Sequence, residues 1–290
     1  MKRTGVVSEV YPKMAGVILD GEPKQKLLCT YRRSQVIDRE SEWRERSPVA
    51  PGDKVEVRVL GSKDGVIEEI YKRENCIQRR APGREGKILH TLAANVDYLV
   101  IVASLHDPEF SPGLVDRFLI AAMEAEIAPA LVINKIDLQK SADDTPWELY
   151  QKLGVRCYPL STHQKKGIEP LRELVRGKTS VFCGHSGTGK TSLLQTLFGT
   201  DVGKIGAVSS STGKGKHTTT VSTLIEAEGN TRFIDTPGIK EFGLHKIDPK
   251  ELILYFHELH AAQERGEALD SFTRYESYQR IKTALETEGR

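Results

Sequence analysis

The spacing of apolar positions changes twice along the chain. From about residue 3 to 75, apolar and polar residues alternate in short β-rich runs: Gly5–Val10, Gly16–Leu19, Lys26–Tyr31, Lys54–Leu60 and Val66–Tyr71. Val55, Val57 and Val59 share one face of the fourth run, and Asp64-Gly65 reads as a hairpin turn into the fifth. Five short strands in this space predict a small Greek-key barrel of the oligonucleotide-binding (OB) type over residues 1–75.

Residues 76–95, with Arg79, Arg80, Arg84 and Lys87 around Pro82-Gly83, read as a polar linker. From Val96 the pattern becomes α/β. Tyr98–Ala103 is an almost continuous apolar strand, Leu114–Glu126 has helical periodicity, and Ala130–Ile133 is the next strand. Strand-like runs follow at Val155–Leu160, Thr179–Cys183 and Val221–Ala227, with a helix at Ser192–Phe198 stopped by Gly199. Strands alternating with helices predict a parallel sheet whose carboxyl edge builds the binding site. The α/β domain is expected over 96–244 and a short helical tail over 245–290.

Three motifs sit where that edge should be. Gly184-His185-Ser186-Gly187-Thr188-Gly189-Lys190-Thr191-Ser192 fits G-x-x-x-x-G-K-[ST] between a strand and a helix. Glycines let successive N–H groups turn toward phosphate oxygens, the helix N-terminus adds positive potential, Lys190 reaches the β- and γ-phosphates, and the Thr191 hydroxyl suits Mg²⁺. Asn134-Lys135-Ile136-Asp137 ends an apolar strand and fits N-K-x-D, the guanine-reading motif of GTPases. The Asp137 carboxylate can accept both N–H groups on guanine's edge, a donor pair adenine lacks. Ser161 and Thr162 follow the next strand, where a backbone contact to the base is expected. Asp235-Thr236-Pro237-Gly238 fits D-x-x-G, with Asp235 for Mg²⁺ and the Gly238 N–H for the γ-phosphate. Residues 203–220, rich in Gly, Ser, Thr and Lys, read as a switch loop in which one of Thr218, Thr219 and Thr220 joins the Mg²⁺ shell, with Thr219 the expected ligand. The usual water-orienting Gln after D-x-x-G is replaced by Ile239, which leaves His217 as the polar candidate for that role beside Lys190 and Thr191.

Composition narrows the setting without deciding it. The 290 residues are 38% hydrophobic and 28% charged, with no apolar run near membrane-spanning length and no signal-peptide core at the N-terminus, so a cytoplasmic protein is expected. A net charge of +2 does not by itself argue for nucleic acid. Cys29, Cys76, Cys157 and Cys183 are scattered, which predicts reduced thiols and no metal cluster.

The motif order is unusual: N-K-x-D precedes the phosphate loop, so the domain is circularly permuted relative to most GTPases. With the N-terminal barrel, this order resembles the ribosome small-subunit-dependent GTPase A family, RsgA. Ala93-Ala94-Asn95-Val96-Asp97, Pro108-x-Phe110, Asp116-Arg117 and Lys214-Gly215-Lys216-His217-Thr218-Thr219-Thr220 carry the likeness further, with Lys216 where Arg is usual. The resemblance implies a cytoplasmic GTPase acting late in small-subunit maturation, slow alone, stimulated by the subunit, and contacting rRNA; a monomer is expected. It also implies a C-terminal zinc knuckle of three Cys and one His, but no Cys follows Cys183 here, so no zinc is expected. Two alternatives remain open: a GTP-dependent binding switch, and a diverged relative acting on another RNA or protein partner.

Overall fold

The computed structural model describes residues 1–22, 25–31, 44–45, 48–80, 88–199, 222–236, 244 and 246–288. Five strands form the N-terminal barrel: β1 (Lys2–Tyr11), β2 (Met14–Leu19), β3 (Lys26–Thr30), β5 (Lys54–Val59) and β6 (Asp64–Ile70), with the two-residue β4 (Arg44–Glu45) outside it. The barrel runs β1-β2-β3-β6-β5 and closes through β1–β5, with only the β3–β6 pair parallel. Alternation puts Val7, Val17, Leu27, Val55, Val57 and Ile67 inside, each essentially without exposure. The expected OB barrel is present.

Residues 76–95, read as a linker, instead carry β7 (Cys76–Arg80) and β8 (Ile88–Ala94), an antiparallel pair flanked by β4. Their basic residues masked the apolar positions that drive the pairing: Ile77, Leu89, Leu92, Ala93 and Ala94 are buried. Arg73 fixes this sheet to the barrel. Its guanidinium forks onto the fully buried Asp53 at 2.7 and 3.0 Å and reaches the Thr91 hydroxyl at 3.3 Å. Removing one partner of such a buried pair costs about 3–5 kcal/mol, whereas water screens the exposed Lys2–Glu56 pair and leaves it little weight.

The second domain is built on a sheet of β11 (Arg156–Pro159), β10 (Ala128–Asn134), β9 (Tyr98–Ser104), β12 (Thr179–Cys183), β14 (Arg232–Asp235) and β13 (Thr223–Glu226), in that order. All neighbours are parallel except β13–β14. Buried on both faces, the central strands divide their side chains between two cores. Leu99, Ile101, Leu131, Ile133 and Val181 face one, and Val100, Val102, Val132 and Phe182 the other. α1 (Pro112–Glu124) and α2 (Trp147–Lys152) cover the first face, while α3 (Glu169–Val175) and α4 (Lys190–Phe198) cover the second. The tail helices α5 (His257–Glu264) and α6 (Tyr275–Glu288) add Phe256, Leu259, Tyr278 and Ile281 to the first core. The barrel joins the same core through Val6 and Ile18, and β1 meets β13 at Glu9 opposite Thr223.

Candidate functional site

The site lies along the carboxyl edge of β9, β10, β12 and β14. β12 runs straight into Gly184–Gly189 and then α4, so the loop is held between a buried strand and a helix whose Leu193 and Leu197 are buried. Two glycines are required by contact. At Gly184 a Cβ would lie 2.1 Å from the Val102 carbonyl oxygen, and at Gly189 it would lie 2.3 Å from Asn134 Nδ2. Both have positive φ, +147° and +84°. The Thr188 hydroxyl donates to the His185 carbonyl at 3.0 Å, and Lys190 Nζ reaches back to the Gly184 carbonyl at 3.4 Å. His185, Ser186, Thr191 and Ser192 are exposed at the mouth. Successive N–H groups at a helix start, with an ammonium alongside, form an anion cradle.

Asn134 ties this loop to the base motif. It is fully buried; Nδ2 donates to the Thr188 carbonyl at 2.9 Å, while Oδ1 accepts from the Thr162 N–H at 3.1 Å and its hydroxyl at 3.3 Å. Lys135 adopts φ 64°, which turns the chain so that Ile136 and Asp137 enter a short 3-10 turn, and its Nζ donates to the Asp107 carbonyl. Asp137 Oδ1 is enclosed and has no hydrogen-bond partner among the described residues. An orphaned acceptor of this kind costs about 1–3 kcal/mol, which a ligand bringing an N–H donor would recover.

At Ser161 and Thr162, where a backbone contact to the base is expected, both backbone N–H groups are engaged within the protein. The Ser161 N–H donates to the Lys166 carbonyl at 2.9 Å, and the Thr162 N–H is the one held by Asn134. The turn is closed further by the Ser161 hydroxyl, which accepts from the Gln164 N–H at 3.0 Å.

Asp235 ends β14 beside the phosphate loop. Burial pushes its carboxyl above the ordinary range, and the nearby Lys190 ammonium pulls the other way. The next residue, Thr236, has its hydroxyl oxygen buried without a partner among the described residues. The Thr191 hydroxyl and the Asp235 carboxylate are hard oxygen donors, a pair that suits Mg²⁺ completed by phosphate and water. No group of three or more His, Cys, Asp or Glu among the described residues can hold a metal, so nothing there fits a zinc knuckle. His217, Thr218, Thr219, Thr220 and Gly238 lie outside the described residues.

From sequence, the turn after β9 enters only through Pro108-x-Phe110, as a family likeness with no role at the site. It carries His106, Asp107 and Pro108, and it touches both motifs: Asp107 through Lys135, and Pro108 Cδ at 3.4 Å from where a Cβ on Gly187 would lie. What pointed to a role at the site was its place at the carboxyl edge of a parallel strand.

The RsgA GTPase family matches residues 70–245, more than half of the 290-residue chain. The chain belongs to this family. A Chlorobaculum parvum protein named small ribosomal subunit biogenesis GTPase RsgA is 36% identical over 263 residues, spanning 88% of this chain and 83% of that protein. A Flavobacterium johnsoniae protein of the same name is 32% identical over 249 residues, spanning 83% and 76%. The crystal structure of YjeQ from Thermotoga maritima superposes over the whole of both chains with a TM-score of 0.72 and 26% identity. YloQ, described as a circularly permuted GTPase, superposes with a TM-score of 0.70 over 99% of this chain and 96% of that one; at 22% identity it shows the shared fold. Family membership makes the chain a GTPase, hence a hydrolase, and its motif order is the permuted one.

Proposed function

We propose that this chain hydrolyses GTP to GDP and phosphate in the service of small ribosomal subunit maturation, in the cytoplasm, with the subunit and its rRNA as partners. One observation carries the nucleotide assignment: Asn134 bolts the phosphate loop to a base motif whose Asp137 oxygen is enclosed and has no partner among the described residues. Asp137 reads guanine, with Lys135 and Ile136 forming the wall beside it. The loop amides from Gly184 to Ser192 and Lys190 stabilise charge developing on the phosphates. Thr191 and Asp235 would hold Mg²⁺, with Thr219 as the third candidate, and the ion would neutralise negative charge on the phosphates. Gly238 is assigned to the γ-phosphate, and His217 to orienting the attacking water. The names of the relatives support the ribosomal role. The test is GTP turnover with and without purified small subunits. Turnover should rise with subunits, and His217→Ala should remove that rise while leaving GTP affinity unchanged. Turnover indifferent to subunits would reject the ribosomal part.

A second reading, a binding switch in which hydrolysis only resets the shape, is favoured by the Glu9–Thr223 pairing. It joins β13, which follows residues 203–220, to the barrel. Co-sedimentation with subunits under GDP and a non-hydrolysable GTP analogue separates the two: tight association confined to the analogue favours the switch.

A further inference from the structure

We propose that His106 is a positioning residue for guanine-nucleotide binding: as an imidazolium clamped between Glu109 and Asp144, it fixes the Asp107-Pro108 turn across the base motif and the phosphate loop. The inference rests on the nucleotide-site reading above and adds a residue that reading does not use.

His106 Nδ1 lies 2.8 Å from Glu109 Oε2 on its own turn, and Nε2 lies 2.6 Å from Asp144 Oδ2 on the segment that follows N-K-I-D. Ionised carboxylates only accept. Two such partners therefore demand two N–H donors, which imidazole has only when protonated. The ring is 13% exposed and Asp144 is 25% exposed, whereas Glu109 is 74% exposed, so the Asp144 contact is the more enclosed of the two. Hydrogen bonding to Asp144, and then to Glu109, raises the His106 pKa, and the His106 contact holds the Asp144 carboxyl below its usual range. Lys140 is the opposing charge: it lowers the His106 value, and its Nζ lies 3.8 Å from Glu109 Oε1.

The turn held this way does two things at the site. The Asp107 carbonyl accepts from Lys135 Nζ, and Pro108 lies beside Gly187 of the phosphate loop. The Ser104 hydroxyl, at the end of β9, donates to the Pro108 carbonyl at 2.6 Å and anchors the other side. Deprotonation leaves one carboxylate without a donor, and the clamp opens at Glu109 or at Asp144. Because the folded pKa is raised, the clamp is complete below the ordinary value of about 6.5 and is lost as pH rises through the raised value.

The test measures the dissociation constant of a fluorescent GDP analogue on the full chain from pH 6 to pH 9, for wild type, His106→Gln and His106→Arg. Titration of the nucleotide itself is common to all three and cancels in their ratios. Wild type should weaken relative to His106→Arg, which stays charged, by about three- to tenfold, the loss expected when the competent turn falls to between a third and a tenth of the population. His106→Gln should show the weak value throughout. If the melting curve shows that His106→Gln does not fold, Asp144→Asn takes its place and should move the wild-type midpoint to lower pH. Affinity ratios that stay at one across the range overturn the clamp while leaving the nucleotide site intact. Wild type that binds no guanine nucleotide at any pH rejects the site reading, and the clamp with it.

Discussion

At the scale of single residues, the site is defined by which polar atoms the protein leaves unsatisfied. Asn134 spends its whole amide inside the fold, on Thr188 and Thr162, and so works as a bolt between two loops. Asp137 does the opposite and keeps Oδ1 enclosed without a partner among the described residues. Guanine specificity is therefore expected to rest on Asp137. Replacing it by Asn turns one acceptor into a donor, so Asp137→Asn should weaken GTP by about ten- to a hundredfold, the worth of a hydrogen bond to a charged group. The same change should gain xanthosine triphosphate, whose carbonyl can meet the new N–H. Competition binding with GTP, ATP and XTP decides it, and an unchanged GTP preference would remove Asp137 from the base site. These residues were legible in the sequence because each chemical task demands a residue type at a fixed spacing. The engaged N–H groups of Ser161 and Thr162 were not, since a turn's internal bonding has no such signature. His106 was hidden for a related reason: its partners sit three and thirty-eight positions away.

Among elements, α1 and the tail form a joint that the sequence announced only as a short helical tail. Arg274 is buried against α1, with Nε 2.8 Å from Asp116 Oδ1, a guanidinium nitrogen 2.9 Å from Glu258 Oε1, and the group stacked 4.5 Å from the Phe256 ring centre. Burial pushes the Asp116 carboxyl up, and Arg274 is the chief group pulling it down. In Arg274→Met, Asp116 must stay charged without its partner or bind a proton on folding. The variant should lose about 3–5 kcal/mol of stability near neutral pH. The sign with pH follows: a carboxyl raised further in the folded state disfavours folding once the unfolded chain ionises. The deficit should be smallest near pH ~4 and grow above it. Urea unfolding at several pH values checks this, and a deficit independent of pH would place the loss in packing alone. Adding Asp116→Asn should recover part of it. The strands over 76–80 and 88–94 were misread for the converse reason: a run of arginines is the louder signal, while pairing depends on Ile77 and Leu92 meeting a core assembled from distant segments.

For the molecule as a whole, the question is whether barrel and GTPase domain are two folding units or one. Composition and pattern divide them cleanly near residue 75, which invites the first answer. The packing gives the second. Val6 and Ile18 point out of the barrel into the cluster that holds Leu99 and Ile234 of the central sheet. β1 continues that sheet through Glu9 and Thr223, and Arg73 clamps Asp53 beneath the β7–β8 pair. Separating the domains would expose apolar side chains, at roughly 25 cal/mol for each Å² uncovered, and would break the hydrogen bond from Arg73 to the Thr91 hydroxyl. Heat unfolding should therefore be a single cooperative transition, and GDP at one hundred times its dissociation constant should stabilise the whole chain by about 2.7 kcal/mol. Hydrogen exchange locates the effect. The amides of Val17 and Val57 in the barrel should gain as much protection from GDP as those of Val100 and Val132 beside the site. Two calorimetric transitions, or protection confined to the sheet, would mean that the barrel unfolds on its own and that nucleotide binding at the site is not felt across the joint.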